Sequence, residues 1–566
     1  MPLVLSAGML ASLAAAPPSP SPAVRFVDAT QEAGLSGFRH INGGSVPIII
    51  YETVPPGAAL FDADGDLDLD LYLVQSGFRR MPAPAGVPAP TGRLYRNEGA
   101  GPDGVPRFVD VTAQAGVGSR AYGVGAVAAD VDNDGDQDLF LTNDGPDTLF
   151  LNDGKGTFKD VTAVAGVSDP MQSTGAAFAD VDGNGYLDLY VSSYVDYAKG
   201  PEFCTYEGVK SGCSDLEYPG LPNSFYLNMG PGPDGVPRFR EVAAERGVRD
   251  PDGRSFGVVF SDLDDDGDLD LYVANDGGIN RLFVNDGKGS FSDLTLLSGT
   301  GYSEEGRGQA SMGLDIGDYD GDGRMDIYTT NFSLETDALY RNEGGLQFSY
   351  AIAMVGLAGP SFMPLSWGIE FFDADLDADL DLFIANGHVY DVAALINPRE
   401  SFEQLNQLYL NDGRGRFTDV STAAGPGLEK KAVGRGAAFG DVDDDGDVDI
   451  YVANNGGPGT LLLNETPRGG NRSLRLRLVG SGASNRDAIG ARVTVQAGER
   501  RLVREVKAGS SYLSCSDKRL VIGLGPHEPA TVTVRWPSGA VQTFDKVPVD
   551  RPVVLTQGEA AWRPGP

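Results

Sequence analysis

The chain has 566 residues, too many for one ordinary hydrophobic core, so it needs several domains or a repeat that adds small cores side by side. Its 80 acidic against 44 basic residues give a formal net charge of −36, which argues against nucleic-acid binding by the whole chain. Hydrophobic residues make up 41%, enough to bury cores, and past the N-terminus no apolar run approaches the about 20 residues of a membrane span.

Residues 3–16 read LVLSAGMLASLAAA and are followed by PPSPSP. The apolar run ending in Ala14-Ala15-Ala16 resembles a secretory signal peptide, although no Lys or Arg precedes it. The reading is a signal peptide over 1–16, a loose Pro/Ser linker over 17–23, and a secreted, periplasmic or cell-surface protein.

From there a nonapeptide, D-x-D-x-[DN]-G-x-x-D, recurs seven times and holds 34 of the 59 Asp. Its positions 1, 3, 5 and 9 are Asp62, Asp64, Asp66 and Asp70 in the first loop, and Asp130, Asp132, Asp134 and Asp138 in the second. The third has Asp180, Asp182, Asn184 and Asp188; the fourth has Asp262, Asp264, Asp266 and Asp270. The fifth has Asp318, Asp320, Asp322 and Asp326; the sixth has Asp373, Asp375, Asp377 and Asp381. The seventh has Asp441, Asp443, Asp445 and Asp449. Leu67 and Ala378 stand where the other loops have Gly.

A small-residue segment precedes each loop, as in GVGAVAA at 123–129, and an alternating strand such as LFLTN or LYVAN follows. A second hairpin comes next, with strands such as LYRN (94–97) and FVDVT (108–112). Strands of period two without a helical pattern mean all-β, and four-stranded units repeated four to eight times mean a propeller. There are seven Asp loops but six complete second hairpins. FVDAT (26–30) and LLLN (461–464) are the missing halves, so the pattern predicts a seven-bladed β-propeller over 24–466 closed by its own N-terminal strand.

Calcium wants six to eight hard oxygens from a tight loop. Positions 1, 3, 5 and 9 supply carboxylate or amide oxygens. Position 7 varies from Asp to Tyr186 and Arg324, so it is read as giving a backbone carbonyl. The expectation is up to seven calcium ions, one per blade. Magnesium, with its stricter octahedron, fits less well, and the EF-hand Glu and helices are absent.

Cys204 and Cys213 lie nine apart in a Gly-rich surface segment and are expected to close a small disulfide loop. Cys515 is left over and expected to be buried. GRSFG at 253–257 matches a nucleophile elbow but leads into a strand, and GPGPDG at 230–235 is a Pro-rich turn. With His40, His388 and His527 the only histidines, a His-based centre is hard to assemble.

The long insertions 74–93, 192–224 and 386–407 follow second strands, which puts them on the face opposite the Asp loops. That face carries Tyr194, Tyr197, Tyr206, Tyr218, Trp367, His388 and Tyr390. It also carries Glu202, Glu207, Asp215, Glu217, Asp391, Glu400 and Glu403. Such aromatics stack on sugars, anchor a partner, or simply pack the loops.

Residues 467–566 hold 16 Lys+Arg and 8 Asp+Glu, a net of +8, against −44 for 1–466. They read as strands of a separate, small β-sandwich-like domain over 471–557, expected to dock on the acidic ring.

The Asp loops resemble FG-GAP (VCBS-type) repeats of integrin-α-like propellers. In the tail, NRDAIGARV (485–493), SYLSCSD (511–517), GLG (523–525) and WPSG (536–539) resemble the ASPIC/UnbV domain. Together they resemble the cartilage acidic protein family and its bacterial relatives. The resemblance implies an exported calcium-binding propeller and supplies no catalytic residues. Leu67, Ala378 and Asn184 depart from the family's loop. The functional expectation is a non-enzymatic, monomeric binding, adhesion or scaffold module for an extracellular protein or glycan. The alternative is a lyase or hydrolase acting on an extracellular polysaccharide.

Overall fold

A computed structural model describes residues 24–44, 46, 48–79, 89–528 and 531–565. The expected signal peptide and linker, 1–23, lie outside the described residues. The chain forms the expected all-β propeller. Seven four-stranded antiparallel sheets are each joined in the order of their strands, with the Asp loop between strands one and two. Blade 4 is representative: Ser255–Ser261, Asp270–Asn275, Arg281–Asn285 and Phe291–Asp293.

Each innermost strand touches those of the blades before and after it, and the seventh touches the first, so the ring closes. The crowding explains the small residues: Gly123–Ala129 of blade 2 is buried along its whole length. Blade 7 is built from both ends of the repeat region. Phe26, Val27 and Asp28 pair antiparallel with Asn464, Leu463 and Leu462.

Apolar side chains fill the wedges between blades. Tyr190 and Phe225 of blade 3 pack with Phe260, Leu271 and Phe283 of blade 4 in one buried cluster. Each such side chain contributes about 1.5–3 kcal/mol on burial. No helix among the described residues is long and apolar enough to cross a membrane.

The tail forms two further four-stranded sheets. Leu476, Val495, Val534, Trp536 and Leu555 pack between them, in a core that runs on into blade 2 through Val131 and Leu139. Its last strand, Arg563–Pro564, pairs with Val553 and Val554 and lies beyond the expected boundary at 557.

The segment 505–517 of the tail enters the axial channel and bonds to all seven innermost strands. Cys515 N–H donates to Ala58 O at 2.9 Å and Leu60 N–H to Cys515 O at 3.0 Å. Ala126 N–H donates to Leu513 O at 3.1 Å, and Phe178 N–H to Ala508 O at 2.9 Å. Ser261 Oγ donates to Glu505 at 2.6 Å, and Ile369 N–H to Ser511 Oγ at 3.0 Å. Leu314 pairs with Ser511, and Asp517 N–H donates to Phe439 O at 2.9 Å. An innermost strand leaves one row of peptide groups facing the channel; this plug satisfies part of that row.

Candidate functional site

The Asp loops fold around their own carboxylates. In all seven, the side-chain oxygen at position 5 accepts the backbone N–H of position 7, at 2.7 to 3.2 Å. Position 1 caps the turn: Asp130 accepts from Asp134 N–H at 3.1 Å and from Gly135 N–H at 2.9 Å. Position 6 is left-handed throughout, and Leu67 at φ 78° and Ala378 at φ 80° keep that geometry without Gly. The strain is about 1–2 kcal/mol each. Position 4, which the sequence reading left as any residue, is left-handed as well. Gly65, Asn133, Gly183, Asp265, Gly321 and Asp444 suit it; Leu376 does not.

Position 9 ties each loop to its neighbour. One oxygen accepts the N–H of position 2, and the other accepts the N–H of an Asn ending strand three. For Asp270 these are Leu263 at 3.2 Å and Asn285 at 3.0 Å. The Asn285 amide then donates to Val181 O, in the loop of the preceding blade, at 3.0 Å. The same step is taken by Asn97, Asn152, Asn228, Asn342, Asn411 and Asn464, at 2.8 to 3.0 Å. The relay is therefore unbroken around the ring. The sequence shows these Asn only as strand ends; nothing in their spacing points to a bond across blades.

The loops bring carboxylates together as a cation site requires. Oxygens of Asp62, Asp64 and Asp66 lie within 4.8 Å of one another, as do those of Asp130, Asp132 and Asp138. The same holds for Asp180, Asp182 and Asp188, for Asp262, Asp264 and Asp266, and for Asp318, Asp320 and Asp326. Burial pushes Asp70 and Asp270 up to about 8, and neighbouring carboxylates push in the same direction. Buried oxygens of Asp64, Asp262, Asp318 and Asp441 take no hydrogen bond among the described residues. An oxygen-only donor set with orphaned buried carboxylate atoms fits a hard cation such as calcium.

Position 7, whose backbone carbonyl is the expected ligand, also carries carboxylates in several loops. Asp268, Asp379 and Asp447 each hold a buried carboxylate oxygen without a hydrogen bond. Burial raises Asp268 to about 7 and Asp379 to about 9, with the adjacent position-5 carboxylates adding to it. In loop 5 the position-7 side chain is a cation, Arg324, paired with Asp322. There Arg341 also reaches Asp320 at 2.6 Å, and the matching Arg96 of blade 1 lies 3.9 Å from Asp64. The other blades have an aliphatic residue at this place.

The tail docks on this face through its own cations. Arg475 lies 3.0 Å from Asp441 and 3.4 Å from Asp444. Arg535 pairs with Asp262, Arg492 lies 2.6 Å from Asp265, and Lys507 pairs with Asp315.

On the opposite face the insertions 194–223 and 387–406 are described, while 80–88 of the first insertion lie outside the described residues. The Cys204–Cys213 disulfide is formed, and Cys515 is buried. Tyr194, Trp367, Tyr390 and Asp215 line one cavity. Tyr206 packs on Tyr390 with ring centres 5.5 Å apart. Tyr197 instead joins Tyr51 and Tyr122 around the Arg79 guanidinium. Tyr218 donates to Pro201 O at 2.6 Å. His388 is buried, accepts from Tyr390 N–H at 3.0 Å, and is held by burial down to about 4. Ser255 of the GRSFG stretch is buried in an inner strand, where its Oγ donates to Asn275 at 2.7 Å.

Comparison with known proteins agrees with this architecture. Residues 480–561 match the family described as ASPIC and UnbV, and 130–191, 262–329 and 390–452 match the FG-GAP-like repeat. Cartilage acidic protein 1 of Homo sapiens is 28% identical over 314 residues, 54% of this chain and 44% of that protein. The Mus musculus protein is 29% identical over 315 residues, 54% of this chain and 45% of that protein. The match thus spans less than half of either relative. Among solved structures, an Agrocybe aegerita lectin recognising non-reducing terminal N-acetylglucosamine is 16% identical with a TM-score of 0.37, covering 64% of this chain and 79% of its own. A Bacillus licheniformis rhamnogalacturonan lyase is 12% identical with a TM-score of 0.35, covering 72% of this chain and 70% of its own.

Proposed function

We propose, for a chain that carries FG-GAP-like repeats followed by an ASPIC and UnbV domain, that it is an exported propeller stapled by calcium and used as a binding or scaffold module. The orphaned buried carboxylate oxygens of the Asp loops carry the calcium part of this reading. Four or five carboxylates in one short loop repel one another, and a divalent cation removes that repulsion while completing a coordination shell from groups already in place. The loop residues at positions 1, 3, 5 and 9 would hold it, joined at position 7 by Asp268, Asp379 and Asp447.

The tail covers the Asp-loop face, so the partner, an extracellular protein or glycan, meets the opposite face. There the two histidines, His40 and His388, are buried and hydrogen-bonded, so neither ring is offered as an acid or base. The chain works as a monomer, outside the cytoplasm, without nucleic acid.

Melting the full chain with calcium and with excess chelator tests the metal. A ligand at 100 times its dissociation constant adds about 2.7 kcal/mol per independent site, so chelation should lower the midpoint by many degrees. An unchanged midpoint after verified metal removal overturns it. A glycan and matrix-protein screen tests the module; depolymerisation of a screened polysaccharide would replace it with the lyase or hydrolase reading.

A further inference from the structure

A cavity of about 250 Å³ opens on the propeller axis, on the face opposite the Asp loops. Blades 3 to 6 and the segment before blade 1 line it. Tyr194 comes from blade 3, Phe256 from blade 4, and Trp367 and Tyr390 from blade 6. Beneath them lies Tyr512 of the plug, its ring 4.8 Å from Trp367 and 5.4 Å from Phe256. The rings of Tyr194, Phe256, Trp367 and Tyr390, with that of Phe332, share the walls with aliphatic side chains such as Ile48, Ile50 and Val389.

Three carboxylates enter this apolar chamber: Asp215, Asp276 and Glu335. Asp276 is 8% exposed; Tyr194 Oη donates to one of its oxygens at 2.6 Å, and the other takes no hydrogen bond among the described residues. Asp215 Oδ2 is buried and likewise has no hydrogen bond. Among the described residues Glu335 accepts only from the Ala310 N–H, at 3.0 Å.

The cations nearby do not balance them. Arg254 lies 3.5 Å from Asp215, and among the described residues no ion pair reaches Asp276 or Glu335. Arg435 stacks on Trp367 at 4.1 Å, but its guanidinium is committed to the carbonyls of Thr53, Gly387, Gly434 and His388.

The arrangement is rigid. The Cys204–Cys213 disulfide anchors the segment leading to Asp215, and Ser214 Oγ caps the turn Asp215–Glu217 by accepting from Leu216 N–H at 3.3 Å.

From the aromatic rings of the walls and the unmatched carboxylates, we infer that this cavity binds an organic cation: an ammonium or guanidinium group on a short apolar body. Ring faces attract a desolvated cation through their quadrupoles, and the carboxylates supply the charge and the hydrogen-bond acceptors. A neutral sugar would leave the carboxylates buried without a counter-charge, and an anion would be repelled. The inference names the ligand class for the binding face proposed above and rests on that reading.

Isothermal titration of the full chain in calcium buffer tests it, using benzylammonium, its neutral counterpart benzyl alcohol, and N-acetyl-lysine methylamide. Benzylammonium should bind saturably, about tenfold or more tighter than benzyl alcohol. Comparable binding of the lysine derivative assigns the source to a protein side chain; binding of benzylammonium alone assigns it to a free amine. Asp276→Asn should reduce the affinity for the cation about tenfold, and Glu335→Gln, nearer the rim, serves if the first variant folds poorly. Equal binding of benzyl alcohol overturns the cation class and leaves the binding face standing. Binding of none of the three overturns the inference, while the effect of chelator on melting still judges the metal separately.

Discussion

Ser511 and Leu314 exchange two backbone hydrogen bonds, at 2.8 and 2.9 Å, although the first lies in the C-terminal domain and the second in the inner strand of blade 5. The domain is thereby part of the ring's interior. Its charge opposes that of the propeller, and the peptide groups it satisfies in the channel hold it as well.

The plug should therefore carry stability for the whole chain. Tyr512 is fully buried against Trp367 and Phe256, and its hydroxyl donates to Val54 O at 3.1 Å. Tyr512→Ala should lower unfolding stability by about 3–5 kcal/mol, as for other large-to-small core changes. Urea denaturation of the intact chain measures this; a loss below about 1 kcal/mol would mean that the ring stands without the plug.

The Asn relay makes a second stability prediction. Asn285→Ala leaves Val181 O and Leu269 O without their side-chain donor, each now at 3.0 to 3.2 Å. Unpairing buried acceptors costs about 1–3 kcal/mol. The same substitution at Asn152 should cost a similar amount, since its bonds to Ala63 O and Gln137 O are alike. A cost confined to one of them would show that the relay is not equivalent around the ring.

Loop 5 should hold calcium less well than loop 3, whose carboxylates meet no ion pair among the described residues, because Arg341 and Arg324 already engage Asp320 and Asp322. Arg341→Leu gives it the residue found at the same place in blades 2, 3 and 6: Leu151, Leu227 and Leu410. Calcium titration of the variant should show one site tightened about tenfold or one more ion bound per chain. An unchanged isotherm would mean that the arginine swings aside at no cost.

His40 sets an acid limit. Its ring accepts from Gly456 N–H at 3.1 Å through Nδ1 and bonds Ser76 Oγ at 2.9 Å through Nε2. Burial first, then the charge of Arg435, holds it down to about 3. Unfolded, it titrates near about 6.5, so the folded state refuses a proton that the unfolded state takes. Its contribution is full above that value and is lost as pH falls toward the folded pKa, at up to about 1.4 kcal/mol per pH unit. His40→Gln should flatten the fall of urea midpoint between about pH 6.5 and pH 4, relative to the parent chain. Parallel curves would assign the acid sensitivity elsewhere.

The ring is legible in the sequence because each blade repeats both its Asp loop and its hairpins. FVDAT could be matched to LLLN by counting, and Phe26 does pair with Asn464. The plug is not legible: SYLSCSD carries no periodicity, and the value of 505–517 lies in partners on seven strands scattered from Ala58 to Phe439. The side chains at position 7 are not legible for a different reason. Tyr186 and Arg324 made the column look indifferent, whereas Asp268, Asp379 and Asp447 are buried with free oxygens in their own loops. The axial cavity draws Asp276 and Glu335 from ordinary-looking blade sequence, next to Tyr194 and Trp367, which their place on the face opposite the Asp loops singles out.

The seam in blade 7 gives the ring a direction of mechanical weakness. Phe26 faces Asn464, and Glu465 N–H reaches back to Arg25 O at 2.7 Å, so the chain enters and leaves the pair at the same end. Tension between the segment before residue 24 and the segment after 466 would peel this pair one rung at a time. A load spread across the two faces would meet all seven blades together. In a single-molecule pulling experiment with handles at those two places, the first and weakest rupture should release the N-terminal strand and leave six blades folded around the plug. A first rupture of the size of a whole blade would place the weak point elsewhere.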